Sequence, residues 1–169
     1  EFARQYPGRV DRLILYGAYA CGKGITDDRI KASLIGLSRA HWGMGSKSLA
    51  DMFRPGAGRQ ERKWLTAFQR QAASPEMAAE MLEHTYSMDV REHAKQVSVP
   101  TLVLHRTDDK AIPHTMSREL ATLFPDARLL TLHGSEHFPG EGDTPSVIRA
   151  IAQFLGDPLE DKDEEPQVT

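Results

Sequence analysis

Three short apolar runs of strand length set the strongest constraint on this sequence. They are Arg12–Tyr16, Thr101–His105 and Arg128–Leu132, and their nearly unbroken apolar character favours parallel strands buried on both faces of a sheet. The segments Ser117–Phe124 and Val147–Leu155, which follow the second and third runs, carry apolar residues at helical spacing. The order strand, helix, strand, helix predicts a parallel α/β sheet with right-handed crossovers.

A helical block separates the first two runs. Asp28–Ala40, Gln60–Ala73 and Pro75–Met88 are predicted helices, and Ser74 before the last of them is a typical N-cap. No strand-like run interrupts residues 26–95. We therefore expect this block to form a helical cap inserted into the α/β core.

The predicted domain organisation follows from this order. Residues 1–25 hold a core strand and its flanks, residues 26–95 the cap insertion, and residues 96–156 the C-terminal core. Residues 157–169 are rich in acidic side chains and poor in apolar ones, which predicts a disordered tail or linker. Because three strands are few for a free-standing sheet of this class, we expect the chain to be the C-terminal part of a larger domain.

Charge and composition argue against several partners. The chain has 21 Lys and Arg and 24 Asp and Glu, a formal net charge of -3, so nucleic acid is not an expected partner. No apolar stretch reaches the roughly 20 residues of a transmembrane helix, and the N-terminus does not resemble a signal peptide. We expect a soluble, cytoplasmic protein with no membrane partner, and the single Cys21 cannot form an internal disulfide.

Asp109 and His137 are the residues most suggestive of catalysis. Each lies in a loop that follows a predicted strand, and the two strands are neighbours along the chain. Since open α/β sheets bind ligands beyond the carboxyl ends of their strands, we expect the two side chains to lie within hydrogen-bond reach. A carboxylate in this position fixes the tautomer of the imidazole and stabilises its protonated form. Asp108 is the alternative acid, and the family resemblance given below favours Asp109, which Ile112-Pro113 follows.

Two other side chains, Ser38 and Cys21, are candidate nucleophiles. Ser38 sits in Gly36-Leu37-Ser38-Arg39-Ala40, but this segment is predicted to be helical, whereas a nucleophile elbow requires a sharp turn from strand to helix. Cys21 follows the first strand but lacks the framing glycines of an elbow. We predict that neither residue is the nucleophile.

Cofactor and metal sites are not expected. Gly17–Gly24 nearly matches a phosphate-binding loop, but a glycine stands where the magnesium-binding hydroxyl belongs. His133 and His137 are four residues apart, a spacing that binds metal on a helix, but Gly134 and Pro139 exclude a regular helix there.

The acid and histidine segments carry a family resemblance. Val99–Asp109 with Pro113 resembles the acid strand and loop of the α/β-hydrolase fold, and His137 resembles its catalytic histidine. Phe2–Val10 with the strand after it resembles the region just after the nucleophile elbow. The chain is thus similar to the C-terminal half of an α/β-hydrolase.

A narrower resemblance rests on three short segments: His41–Gly45, Gln71–Pro75 and His137–Asp143. They resemble hydrolase domains fused to adenylate or guanylate cyclases or to LuxR-type regulators. This resemblance leaves open a fused regulatory domain.

The resemblance implies the C-terminal part of a serine hydrolase acting on an ester or similar carbonyl, with Asp109 as acid and His137 as base. The nucleophile would lie upstream of Glu1, no cofactor would be needed, and the ligand would be a small apolar molecule. The alternative is a catalytically silent, hydrolase-like sensing module of a multidomain regulator. In either case we expect the chain alone to be inactive and, with an unpaired sheet edge, prone to form homo-oligomers.

Overall fold

Three parallel strands form the sheet of this protein, in the order β1-β2-β3. In the computed structural model, which describes residues 1–157, they are β1 (Leu13–Tyr16), β2 (Thr101–Arg106) and β3 (Ala127–Leu132). The parallel α/β class predicted from the sequence is confirmed. The predicted acidic tail lies outside the described residues beyond Asp157.

Burial differs sharply between the strands. Every residue of β2 is buried, β1 is half-buried along its length, and three of the six residues of β3, including Leu130, are exposed. The prediction of strands buried on both faces is right for β2 alone. It is wrong for β1 and β3 because, within residues 1–157, these two strands are the edges of the sheet.

Eight α-helices accompany the sheet in the described part of the chain. They are α1 (Phe2–Gln5), α2 (Asp28–Ala40), α3 (Trp42–Phe53), α4 (Arg59–Ala72), α5 (Pro75–Ser87), α6 (Arg91–Ala94), α7 (His114–Leu123) and α8 (Thr144–Leu155). None of the helices within residues 1–157 is long and apolar enough to cross a membrane.

Capping residues mark the starts of α2 and α5 and the end of α8. Asp27 caps α2 by accepting from the backbone N–H of Arg29, and Ser74 caps α5 in the same way. Gly156, with φ of 81°, closes α8 in the left-handed conformation. The starts of α2 and α5 and the end of α8 agree with the sequence predictions to within one residue, whereas α7 and α8 begin three residues earlier than predicted.

Helix α3 was not predicted, because its glycines and serines have low helix propensity. The structure explains why one of these glycines is needed. A Cβ on Gly45 would lie 2.8 Å from the Cα of Ser38, so only glycine allows α3 to pack this closely against α2. The contact buries Ser38 completely within α2.

The helices α2 to α5 form one insertion between β1 and β2, and we call it the helical insertion. Its entrance and exit pair with each other, since Gly22 donates to the carbonyl of Met88 at 2.8 Å and Val90 to that of Ala20 at 2.8 Å. Within it, α2 packs against α3 and α5, and α3 packs against α4. The insertion also contacts the core through a cluster of buried apolar residues: Ile25, Tyr86, Ala111, Ile112 and Met116.

The entrance of the insertion gives a first prediction, for which two glycines form a matched pair. A Cβ on Gly22 would lie 2.0 Å from the Thr85 carbonyl oxygen, whereas nothing lies within 4 Å of a Cβ on Gly36 in α2. Gly22→Ala should lower the free energy of unfolding by about 1–3 kcal/mol or more through overpacking. Gly36→Ala should raise it by about 0.5–1 kcal/mol. Urea unfolding of the full-length protein measures both, and equal values would contradict the described packing.

Candidate active site

Asp109 and His137 meet at the carboxyl edge of the sheet. Asp109 follows β2 and His137 follows β3, and Oδ2 of Asp109 lies 2.8 Å from Nδ1 of His137. The distance is within the range expected from the sequence, while the catalytic role of the pair stays a prediction. No group within residues 1–157 hydrogen-bonds Nε2 of His137, so this nitrogen is available to exchange a proton.

Asp109 is held as a buried carboxylate. Its Oδ1 accepts hydrogen bonds from the backbone N–H groups of Ala111 at 2.8 Å and Ile112 at 3.2 Å, and its side chain is 1% exposed. Burial alone would raise the pKa of Asp109, but hydrogen bonds from His105, His137 and the Ala111 backbone hold this pKa well below its ordinary value. The acid is therefore ionised at neutral pH.

Asp108, the alternative acid, points elsewhere. Its side chain accepts from the Thr107 hydroxyl at 2.9 Å in an exposed position, and its backbone N–H donates to the Gly134 carbonyl at 3.0 Å. Asp108 thus shapes the turn, and the preference for Asp109 agrees with the geometry.

Gly17 leaves the space that the His137 ring occupies. It ends β1 with φ of 57°, a left-handed conformation that favours glycine. A Cβ at this position would lie 3.3 Å from Cε1 of His137 and 3.8 Å from Oδ2 of Asp109. All three sheet strands therefore contribute to the site through the residues that follow them.

Phe53, the last residue of α3, connects the helical insertion to His137. Its carbonyl oxygen accepts from the His137 backbone N–H at 3.1 Å. Its ring stacks on the imidazole with centroids 5.3 Å apart and planes 20° from parallel. The insertion therefore fixes both the backbone and the ring of the candidate base.

Arg106 holds the loop that carries His137. This last residue of β2 is 1% exposed, and its guanidinium donates to the carbonyls of His133 at 2.8 Å and Glu141 at 2.5 Å. It also donates to the Tyr16 hydroxyl at 2.9 Å. One buried side chain thus ties β1 and β2 to both ends of the His137 loop.

Two glycines let this loop close around Glu136. Gly134 and Gly142 have φ of 123° and 62°, and a Cβ on either would lie 2.7 Å from Oε2 of Glu136. The positive φ angles favour glycine at both positions, and the small residues leave room for the Glu136 carboxylate.

The remaining sequence candidates lie apart from this site. Ser38 is buried between α2 and α3, and Cys21 is half-buried in an isolated bridge to Asp89. The glycine-rich segment after β1 forms a short 3₁₀ turn at Gly22–Gly24 rather than the start of a long helix. Within residues 1–157, no group of three or more His, Cys, Asp or Glu side chains is arranged to hold a metal ion.

A cavity of about 250 Å³ opens beside the candidate base. Its walls combine residues after the strands with residues of the helical insertion, among them Gly17, Tyr19, Phe53, Leu82, Ile112 and His137. The lining is mostly apolar, and His137 is the histidine in it. The cavity is suited to a small apolar ligand that presents one reactive group to His137.

Three residues of the site were not predicted from the sequence: Phe53, His105 and Arg106. The last two are polar residues at the end of an apolar run, and this placement was the only signal of a role. The contact of Phe53 with His137 had no signal in the sequence, because Phe53 lies more than 80 positions before His137 and meets it only through the packing of α3.

Comparisons with known proteins agree with this fold. A family model described as TAP-like protein matches residues 66–166. A non-heme chloroperoxidase from Kitasatospora aureofaciens is 25% identical over 135 residues, which are 76% of this chain and 48% of that protein. The chain therefore spans about half the length of this curated relative.

Solved structures give the same result. A hydrolase from Oleispira antarctica superposes with a TM-score of 0.82 at 15% identity, covering 92% of this chain and 59% of that one. A bromoperoxidase from Bacillus anthracis gives 0.78 at 16% identity, covering 88% and 59%. An enol-lactonase from Burkholderia xenovorans gives 0.70 at 25% identity, covering 92% and 60%.

The Arg106 contacts predict a specific effect on the His137 loop. Lysine cannot reproduce the forked donors of arginine, so Arg106→Lys leaves part-buried carbonyls of the loop without this partner, each at a cost of about 1 kcal/mol. Hydrogen–deuterium exchange across residues 133–142 should accelerate about tenfold or more. Arg128→Lys, on an exposed position of β3, is the control and should leave exchange unchanged. Equal exchange in the two variants would show that Arg106 does not hold the loop.

Proposed function

The chain belongs to the α/β-hydrolase superfamily, in the family of TAP-like proteins, and on that premise we propose that it supplies the acid and base of a serine hydrolase. Asp109 is the acid and His137 the base, and the nucleophilic serine lies upstream of Glu1. The substrate is an ester or a similar carbonyl compound. The observation that carries the proposal is the 2.8 Å contact from Asp109 to Nδ1 of His137, which leaves Nε2 available.

The proposed reaction requires His137 to take and return one proton. Nε2 accepts the serine proton as the oxygen attacks the carbonyl carbon, and the Asp109 carboxylate stabilises the imidazolium that forms. Nε2 then gives the proton to the leaving alcohol as its bond to carbon breaks, and water repeats the cycle on the acyl-enzyme. The low pKa of Asp109 favours this role, because the acid stays ionised throughout.

Residues 26–95 act in this proposal as a cap, and residues 1–25 and 96–156 as parts of the hydrolase core. Two features support the assignment. The insertion holds His137 through Phe53, and it contributes to the cavity lining through residues of α3 and α5: Leu49, Met52, Phe53, Leu82, Thr85 and Tyr86. A cap in this position selects the substrate while the core carries out the reaction.

The size and lining of the cap cavities support an apolar substrate. A second cavity of about 340 Å³ lies within the insertion, and it shares four wall residues with the cavity at His137. The shared residues are Leu49, Phe53, Leu82 and Thr85. We therefore propose that the carbonyl binds at His137 and that a longer acyl chain extends into this outer cavity.

Asp109→Asn tests the catalytic assignment in the full-length protein. An amide can hold His137 in the wrong tautomer, so turnover of short p-nitrophenyl esters should fall by up to about 10⁴-fold while the fold is retained. The control is Asp108→Asn, which should keep turnover near that of the wild type. Equal turnover in the two variants would exclude Asp109 as the acid. No turnover in the wild type would favour the ligand-sensing alternative.

Ala72→Phe tests the substrate path. Ala72 is exposed at the end of α4 and lines the outer cavity but not the cavity at His137. A phenyl ring there should exclude several methylenes of an octanoyl chain, each worth about 0.8 kcal/mol. KM for p-nitrophenyl octanoate should rise about tenfold or more, while KM for the acetate should not change.

Ala67→Phe is the matched control for this test. Ala67 is also exposed on α4 but lines a different groove, so the substitution should leave both KM values unchanged. A rise in KM for octanoate in both variants, or in neither, would contradict the proposed path.

A further inference from the structure

His105 is a second imidazole against the candidate acid, and the proposed reaction does not use it. It belongs to β2 and is completely buried. Its Nε2 lies 3.3 Å from Oδ2 of Asp109, the same oxygen that lies 2.8 Å from Nδ1 of His137. One carboxylate oxygen is therefore shared by two imidazole rings.

The partners of His105 Nε2 establish where its proton is. This nitrogen faces the Ile112 carbonyl oxygen at 3.0 Å and the Asp109 carboxylate at 3.3 Å. Both groups accept hydrogen bonds and neither can donate one. An unprotonated Nε2 would set a lone pair against two buried oxygens, so the geometry favours a proton on Nε2.

The other side of the ring is fixed as well. Nδ1 of His105 hydrogen-bonds the hydroxyl of Ser117 in α7, and the same hydroxyl donates to the Ala18 carbonyl oxygen at 2.5 Å. The chain of contacts runs from the residues after β1, through α7, to the ring in β2. The ring is thereby prevented from turning its Nε2 away from Asp109.

The other groups around the ring do not compete for this proton. His114 of α7 presents its ring edge-on with centroids 5.6 Å apart, and its own Nε2 lies 2.9 Å from the Thr131 hydroxyl of β3. Only the acid and the Ile112 carbonyl therefore face Nε2.

We propose that His105 is a positioning residue that holds a protonated Nε2 against Oδ2 of Asp109 and so makes the acid a shared partner of two imidazoles. The shorter contact belongs to His137, and the longer one gives Oδ2 a second donor beside the backbone N–H groups that hold Oδ1. The contact with His105 also reduces the negative charge on Oδ2 of Asp109 that acts on the Nδ1 proton of His137. Only the catalytic consequence of this inference rests on the proposed function.

The first measurement uses the wild-type full-length protein labelled with ¹⁵N at histidine. Long-range ¹H–¹⁵N correlations distinguish protonated from unprotonated ring nitrogens, and His105 is identified by the signal lost on substitution. We expect Nε2 of His105 to be protonated between about pH 5.5 and 8. An unprotonated Nε2 would overturn the inference, and this readout does not depend on turnover.

The second measurement compares His105→Asn with His105→Gln. Glutamine can place an amide N–H near the position of Nε2, whereas asparagine reaches only the position of Nδ1. In His105→Asn we expect the Nδ1 proton of His137 to shift downfield, because Asp109 loses its second donor, and in His105→Gln to stay near the wild-type value. An unchanged proton shift in a folded His105→Asn would overturn the proposal.

Turnover separates this inference from the proposed function. In an active protein, His105→Asn should lower kcat about tenfold with KM within about twofold, because Asp109 loses one of the donors that orient its carboxylate. His105→Gln should recover most of the loss. A protein with the expected NMR result but no esterase turnover would contradict the hydrolase proposal and leave the inference intact. Normal turnover with an unprotonated Nε2 would overturn the inference and leave the hydrolase proposal intact.

Discussion

The buried guanidinium of Arg106 is the constraint on which the site depends. A charge at the end of the central strand, almost without access to solvent, must find its acceptors within the protein. It finds them in the Tyr16 hydroxyl and in the carbonyls of His133 and Glu141. Because the two carbonyls lie on either side of His137, satisfying the cation also determines the path of the loop. The contact from His137 to Asp109 follows from this path.

The helical insertion supplies a second, independent restraint on the same imidazole. Arg106 acts from the sheet side through the ends of the loop, whereas Phe53 acts from the insertion through the backbone and the ring of His137 itself. Arg54, the next residue, adds an ion pair at 2.8 Å to Glu141, at the far end of the same loop. Movement of α3 would therefore displace the ring that faces the cavity.

Much of the core and the central pair could be predicted from the sequence, because local patterns determine them. An apolar run predicts a strand, and parallel order predicts that the loops after neighbouring strands meet, which is why Asp109 and His137 could be paired. Helix α3 could not be predicted, since Gly45 disfavours a helix locally and is needed only for packing against Ser38. The role of Arg106 was equally hidden, because its partners lie far apart in the chain and become neighbours only in the folded loop.

The paired entrance and exit of the helical insertion bear on how this part of the chain could be exchanged between proteins. Backbone hydrogen bonds join Ala20 and Gly22 to Val90 and Met88, so the two ends of about 70 intervening residues meet at one point of the scaffold. A segment whose ends meet can be replaced by another of different length with little strain on the strands it leaves and rejoins. A segment grafted between the paired entrance and exit would have to reproduce one long-range feature. It would have to present a carbonyl and an aromatic ring to His137, as Phe53 does. In the proposed function, exchange of the whole helical insertion would then change ligand preference, while Asp109 and the loop held by Arg106 stay as they are.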